Sequence, residues 1–238
     1  MLLNCLKSVI MKRVVVISLG GSLIVPKKIN VEFLKDFKKV ISKNKSKYKF
    51  VVVCGGGSIA RTYISGLENQ QISQKEYLQN LLGITATRIN ARFMTYFFGK
   101  DANKGIPHEI KEVYNSLIKN DIVFCGALRY EKNQTSDSTS AKLARFFKSD
   151  FINLTDVSGL HDKNPKKFRS AKFIPEISYK DFLKMASGKF YPGQHFVLDQ
   201  TAAKIIKKYK IRTFILGPNL KNLDNLLNGK HFIGSIIE

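Results

Sequence analysis

The chain has 238 residues, 44% of them hydrophobic, which is enough for one large domain or two small lobes on a shared sheet. No apolar run reaches membrane-span length, and Cys5, Cys54 and Cys125 are odd in number and widely spaced, with neither zinc nor redox spacing. The net charge of +22, from forty Lys and Arg against eighteen Asp and Glu, reads either as a polyanion partner or as lysines spread over solvated helix faces. Those lysines are scattered, and there is no Arg-rich arm or aromatic RNA-binding signature. Neither nucleic acid nor a membrane is therefore the expected partner. Cys54 and Cys125 each end an apolar run, as buried thiols in a reducing cytoplasm do.

Met1 to Ile10 lacks a long apolar region and a cleavage site and is expected to be a dispensable extension ahead of a domain spanning 11–238. Arg13 to Leu19 reads as the first strand, ending in Gly20-Gly21-Ser22. Val31, Leu34, Phe37, Val40 and Ile41 recur at helical spacing. Phe50 to Val53 is a second strand that breaks into Gly55-Gly56-Gly57, after which a helix opens at Ser58. A long helical pattern runs from Gln74 to about Phe98. Its apolar stripe is Tyr77, Leu81, Ile84, Ile89 and Phe93, while Thr87 and Asn90 either solvate the outer face or share a face turned to a ligand. Glu109 to Ile118 is helical, and Ile122 to Cys125 is a strand. A polar loop precedes a helix capped by Asp137, and Phe151 to Leu154 is the next strand. Lys163 to Phe173 is an excursion. Tyr179 to Met185 is helical, Ser187 to Gln194 is a glycine-containing loop, and Asp199 caps a helix to Tyr209. Ile211 to Leu216 is a strand, Leu220 to Leu227 a helix and Phe232 to Ile237 a last strand.

Strands that alternate with helices in this way form a mostly parallel sheet covered on both faces, with ligands at the carboxyl ends of the strands. Alone, Gly55-Gly56-Gly57 is either a tight strand-to-helix turn or an anion-binding loop. A second strand ended by glycines and serine, at Gly20-Gly21-Ser22, favours two anionic groups held side by side. Arg61, one turn into the helix, has the charge to grip one of them.

Six stretches then resemble the amino acid kinase superfamily and, within it, archaeal-type uridylate kinases: Leu19 to Ser22, Gly55 to Tyr63, Leu82 to Ala91, Thr135 to Asp137, Thr155 to Leu160 and Asp199 to Ile206. They occur in the family's order over nearly the whole chain. The resemblance implies a three-layer α/β/α sandwich with a mostly parallel central sheet. It implies an acceptor-binding lobe over about 11–125 and an ATP-binding lobe over about 126–238. It further implies γ-phosphoryl transfer from ATP, with Mg²⁺, to UMP, giving UDP in pyrimidine biosynthesis, in a hexamer. The roles that follow for matching positions place Gly20, Gly21, Ser22 and Asp199 at the transferring phosphates. UMP would be held by Gly55, Gly56, Gly57, Arg61, Asn80, Thr87, Thr135, Ser136 and Asp137. ATP would be held by Thr155, Asp156, Gly159, His161, Asp162 and Asn164. No metal-ligating residue is assigned.

Four departures stand out. Ser18 occupies the position where many members carry a lysine, which leaves Lys12, Lys189 or Mg²⁺ to supply the charge. Asn80 replaces an aspartate expected at the ribose. The loop from Gly126 to Thr135 is longer, and Asp156 to His161 replaces Asn-Val-Asp-Gly-Val-Tyr. Isopentenyl phosphate kinase is a rival of the same fold, but it carries a histidine soon after the acceptor glycines, where this chain reads Ser58-Ile59-Ala60-Arg61. Acetylglutamate and carbamate kinases fit Arg61 and Thr87-Arg88-Ile89-Asn90 less well. A non-catalytic nucleotide- or RNA-binding module is the alternative that Ser18 keeps open.

Overall fold

A computed structural model describes residues 12–131, 135–187 and 197–238. The strands, in chain order, are β1 (Arg13–Leu19), β2 (Tyr48–Cys54), β3 (Ile122–Cys125), β4 (Phe151–Leu154), β5 (Leu160–His161), β6 (Phe173–Ile174), β7 (Glu176–Ile177), β8 (Thr213–Leu216) and β9 (Ser235–Ile237). The helices are α1 (Gly21–Ile24), α2 (Val31–Asn44), α3 (Gly57–Gly66), α4 (Lys75–Phe98), α5 (Ile110–Lys119), α6 (Ser136–Phe147), α7 (Tyr179–Ser187), α8 (Gln200–Tyr209) and α9 (Leu220–Leu227). The expected Met1 to Ile10 extension, Lys189 and most of the loop from Ser187 to Gln194 lie outside the described residues.

Seven strands form one sheet in the order β3-β2-β1-β4-β8-β9-β7. The five from β3 to β8 are parallel, whereas β9 runs antiparallel to β8 and pairs in parallel with β7. The apolar runs of β1 to β4 are buried on both faces, which explains why they lack a polar alternation. Val15, Ile17 and Leu19 pack with α2, α4 and α9, while Val14 and Val16 pack with α5, α6, α7 and α8. The three-layer α/β/α arrangement is thus written into the alternating sides of one strand.

The chain leaves β1 in one direction, to β2 and β3, and returns on the other side for β4 and β8. The reversal falls between β1 and β4. Connections diverge there above the carboxyl ends of the two strands and open a crevice between them. β5 and β6 pair antiparallel, Leu160 with Ile174, and close the excursion beside this crevice.

Two expectations about helices change. The N-cap of α6 is Thr135, not Asp137: its hydroxyl accepts the Ser138 amide, and the Ser138 hydroxyl accepts the Thr135 amide at 2.8 Å. In α4, Thr87 and Asn90 are buried, whereas Ile89 is 50% and Tyr77 39% exposed. The reason is a polar task on the inner face, described next.

Candidate active site

The first turns of the two glycine loops touch back to back. A Cβ on Gly21 would stand 2.0 Å from the Gly57 nitrogen, and Gly57 itself has φ +63°. Only glycine permits this approach, and the backbone angle is one that residues with a Cβ rarely adopt. The contact is secured by the Ser58 amide, which donates to the Val25 carbonyl at 3.1 Å. From the other side, Asn90 Nδ2 donates to the Gly55 carbonyl at 2.7 Å and to the Gly56 carbonyl at 3.2 Å. With these carbonyls held by Asn90, the loop's orientation is set by a side chain on α4.

A cleft of about 410 Å³ lies above β1, β2 and β4. Gly20, Gly21, Ser22, Gly55, Gly56, Gly57, Arg61, Ser136 and Asp137 line one part of it, and Thr155, Asp156, Gly159, His161 and Asn164 line the other. Ser18, at the top of β1 and 1% exposed, donates from Oγ to Asp137 Oδ1 at 2.9 Å. Burial, then the charge of Asp199, pushes the Asp137 carboxyl up to about 7, against the lowering effect of the Ser18 hydrogen bond. Thr135 Oγ1 donates to Asp199 Oδ2, while Asp199 Oδ1 accepts the Ala202 amide at 2.9 Å as the cap of α8. The starts of α6 and α8 are thereby tied together, although the two residues are 64 apart in sequence.

On the far wall, Lys166 Nζ pairs with Asp156 Oδ2, and Asn164 Oδ1 accepts the Lys166 amide at 2.9 Å. His161 packs edge-on against Phe173, with ring centroids 5.5 Å apart, and its Nδ1 lies 3.1 Å from the Gly159 carbonyl. Its ring is therefore part of the β5–β6 wall of the cleft.

Several anticipated residues serve other ends. Thr87 does not line the cleft: its hydroxyl donates to the Ile84 carbonyl at 2.6 Å and accepts the Ala127 amide at 2.9 Å, so it pins the loop after β3. Asn80 is also outside the cleft lining, half-buried on α4. Asp162 turns to accept the Lys172 amide at 2.7 Å and braces the excursion. Lys12 lies at the opposite end of β1, paired with Asp121 at 3.0 Å. Seven strand residues, about 23 Å, separate that end from the crevice, so Lys12 does not replace a strand-one lysine.

The structure adds Asn153, Lys163 and Lys166 to the cleft wall. Asn153, 3% exposed and in register with Ser18, donates to the Val197 carbonyl at 2.9 Å and so holds the approach to Asp199. A signal was present: a lone amide inside Phe151-Ile152-Asn153-Leu154 has no apolar reason to be there.

Glycine turns at strand ends, with the anchored carboxylate of Asp137 beside them and cations on both walls, are the apparatus of an α/β phosphotransferase, which works by positioning and charge stabilisation; Asp199 and Thr135, tied to each other, stand outside the cleft lining. Residues 13–217 match the model of the amino acid kinase family, and the chain belongs to that family. A uridylate kinase of Thermoplasma volcanium is 33% identical over 96% of this chain and 99% of its own. One of Methanobrevibacter smithii is 31% identical over 91% and 95%. The crystal structure of uridylate kinase from Archaeoglobus fulgidus superposes with a TM-score of 0.81 at 32% identity, covering 94% of this chain and 99% of that one.

Proposed function

We propose that the protein is a nucleoside monophosphate kinase that passes the γ-phosphoryl group of ATP to the phosphate of UMP, giving UDP and ADP. The observation that carries this reading is the back-to-back contact of the two glycine loops, which supports two phosphate groups side by side above β1 and β2. The chain's similarity to uridylate kinases along almost its full length supports UMP as the acceptor. We assign Gly55, Gly56, Gly57 and Arg61 to the acceptor phosphate, Thr155 to Asn164 with Lys163 and Lys166 to ATP, and Gly20, Gly21, Ser22, Asp137 and Asp199 to the region between. The acceptor is already ionised near neutral pH, so no strong general base is needed.

Mg²⁺ belongs to this proposal as a cation carried by the nucleotide's phosphates, where it neutralises charge on the transferring group. The oxygen donors that line the cleft, Ser22, Ser136 and Thr155, suit a hard cation and its waters, and no residue is assigned to ligate it. We also propose a homo-oligomer, a hexamer by family resemblance, in the cytoplasm. Its support is the face of α3 and α4. No residue of α3 is buried, and Tyr63, Ile89 and Tyr96 are exposed. In a chain of net charge +22, the stretch Tyr77 to Ala91 carries one charged residue, Arg88, which bonds inward to the Ala127 and Leu128 carbonyls. A second copy can approach this face with little repulsion. The free thiols Cys54 and Cys125 are buried, which suits a reducing compartment.

The test is coupled ADP release with MgATP and, in parallel, UMP, CMP, isopentenyl phosphate or no acceptor. Turnover with UMP is expected. Turnover with another acceptor alone would keep the fold and move the substrate, and silence from folded protein that binds ATP would favour a non-catalytic module. Arg61→Ala should raise the UMP KM by about 10- to 100-fold, the equivalent of one lost charged hydrogen bond, with little change in the ATP KM. Equal effects on both would remove Arg61 from the acceptor site.

A further inference from the structure

Helices α6 and α8 begin beside the cleft, at Thr135 and Asp199, and pack against each other as they run towards the opposite end of the sheet. The twelve residues of α6 cover about 18 Å on the way. Their carboxyl ends frame a groove of about 950 Å³. Ile110, Phe146, Ile205 and Ile211 line it as buried or half-buried apolar side chains, while Arg145, Lys148, Lys208 and Lys210 line it as exposed cations. None of these residues lines the cleft, so the groove is independent of the phosphotransfer reading.

Among the described residues, no ion pair includes any of these four cations. Lys142 and Arg212, which also line the groove, are held by Glu131 and Glu238, and the groove's carboxylate, Asp150, is held by Arg13. The Tyr209 ring gathers two of the four, with Arg145 at 3.7 Å and Lys208 at 5.5 Å from its centroid. The other two stand where glycine is easier. Lys148 and Lys210 close their helices with φ +51° and +49°, the left-handed conformation that glycine adopts at no steric cost. A lysine in the preceding turn gains from the helix dipole without that strain, and Arg145, Lys207 and Lys208 already stand in those turns. The folded chain by itself therefore gains little from two lysines at these positions.

Cations crowded around an apolar groove repel one another until acidic groups meet them. We propose that this groove docks an acidic segment of another protein, with apolar side chains set on Phe146, Ile205 and Ile211 and carboxylates at Arg145, Lys148, Lys208 and Lys210. Charge complementarity selects this occupant. A second copy of the chain would bring a net charge of +22. The α3–α4 face proposed above for self-association packs on the other side of the sheet and leaves the groove open. Single-stranded nucleic acid stacks its bases on free aromatic faces, and here the Tyr209 ring is covered by Arg145 while the isoleucines offer no stacking surface. An acidic segment with leucine or phenylalanine side chains satisfies the cations and the apolar lining together.

The test is fluorescence anisotropy of the full-length protein with a labelled peptide of about fourteen residues, leucines at helical spacing and glutamates elsewhere. Polyglutamate of equal charge and oligouridylate of equal length are measured beside it. The leucine–glutamate peptide should bind at least about 10-fold more tightly than polyglutamate, because only the former buries apolar side chains. The double variant Lys148→Gly, Lys210→Gly should weaken that binding by about 3- to 30-fold, the equivalent of two exposed ion pairs. Its Tm should stay at or above that of wild type, since glycine relieves both left-handed residues. A purely structural role for the lysines would move Tm and leave binding alone. Equal affinity for polyglutamate, binding untouched by the double variant, or no binding of the peptide at about 1 mM would each overturn the proposal. Tighter binding of oligouridylate that the double variant abolishes would overturn it too and give the groove to RNA. If the double variant does not fold, Lys208→Glu in the exposed last turn of α8 decides by the same measurement.

Discussion

Asp199→Asn should lower kcat by about 10²- to 10³-fold, the range seen when one preorganised electrostatic group is removed from a reaction centre. The substitution is chosen to keep the local structure. Asparagine caps helices about as well as aspartate, so the Ala202 amide that now bonds Asp199 Oδ1 retains an oxygen acceptor. The amide nitrogen then faces Thr135, whose hydroxyl turns from donor to acceptor. Thermal stability should therefore stay within a few degrees of wild type while turnover collapses. Full turnover would show that Asp199 only begins α8. A large loss of stability with proportional loss of activity would point the same way. Steady-state kinetics beside thermal unfolding of the same preparation distinguishes these results.

Gly21→Ala should be the most damaging glycine-to-alanine change among the described glycines. Its Cβ would stand 2.0 Å from the Gly57 nitrogen, 2.6 Å from the Gly57 Cα and 2.7 Å from the Gly55 carbonyl carbon, all of them backbone atoms without a rotamer to change. The two phosphate loops must move apart. Overpacking of this kind costs about 1–3 kcal/mol, which corresponds to a fall in Tm of roughly 2–4 °C per kcal/mol for a chain of this size. Activity should fall further than stability, because a displacement of about 1 Å at a reacting centre can cost 10²-fold. Gly66→Ala is the control. Nothing lies within 4 Å of its Cβ position near the end of α3, so alanine there should be neutral or stabilising by up to about 1 kcal/mol. Equal tolerance of both substitutions would mean that the loops are not in contact in solution.

Much of the fold was legible in the residues themselves. Continuous apolar runs marked β1 to β4, and helical spacing marked α2, α6 and α8. The glycines at the ends of β1 and β2 announced where a ligand approaches, because strand ends and tight turns depend on a few neighbouring residues. The stripe of α4 misled. Its sequence favoured Tyr77 and Ile89 as core, yet the inner face carries Thr87 and Asn90, because the loops after β2 and β3 need hydrogen-bond partners there. Lys12 misled in another way: it has the right chemistry but stands at the wrong end of β1.

By itself the sequence determined the order of the main elements, the mostly parallel sheet, the glycine turns and the family, while the short helix Gly21–Ile24 and the short strands β5, β6 and β7 appeared only in the structure. The features it determined follow from patterns a few residues long or from motifs in a set order. Only the tertiary structure decided which side chains meet. Ser18 reaches Asp137 across 119 residues, Thr135 reaches Asp199 across 64, and Asn153 reaches Val197 across 44. Those contacts depend on strand register and on how α6 and α8 dock over β1 and β4. That docking is set by the packing of the whole layer, which no local pattern encodes.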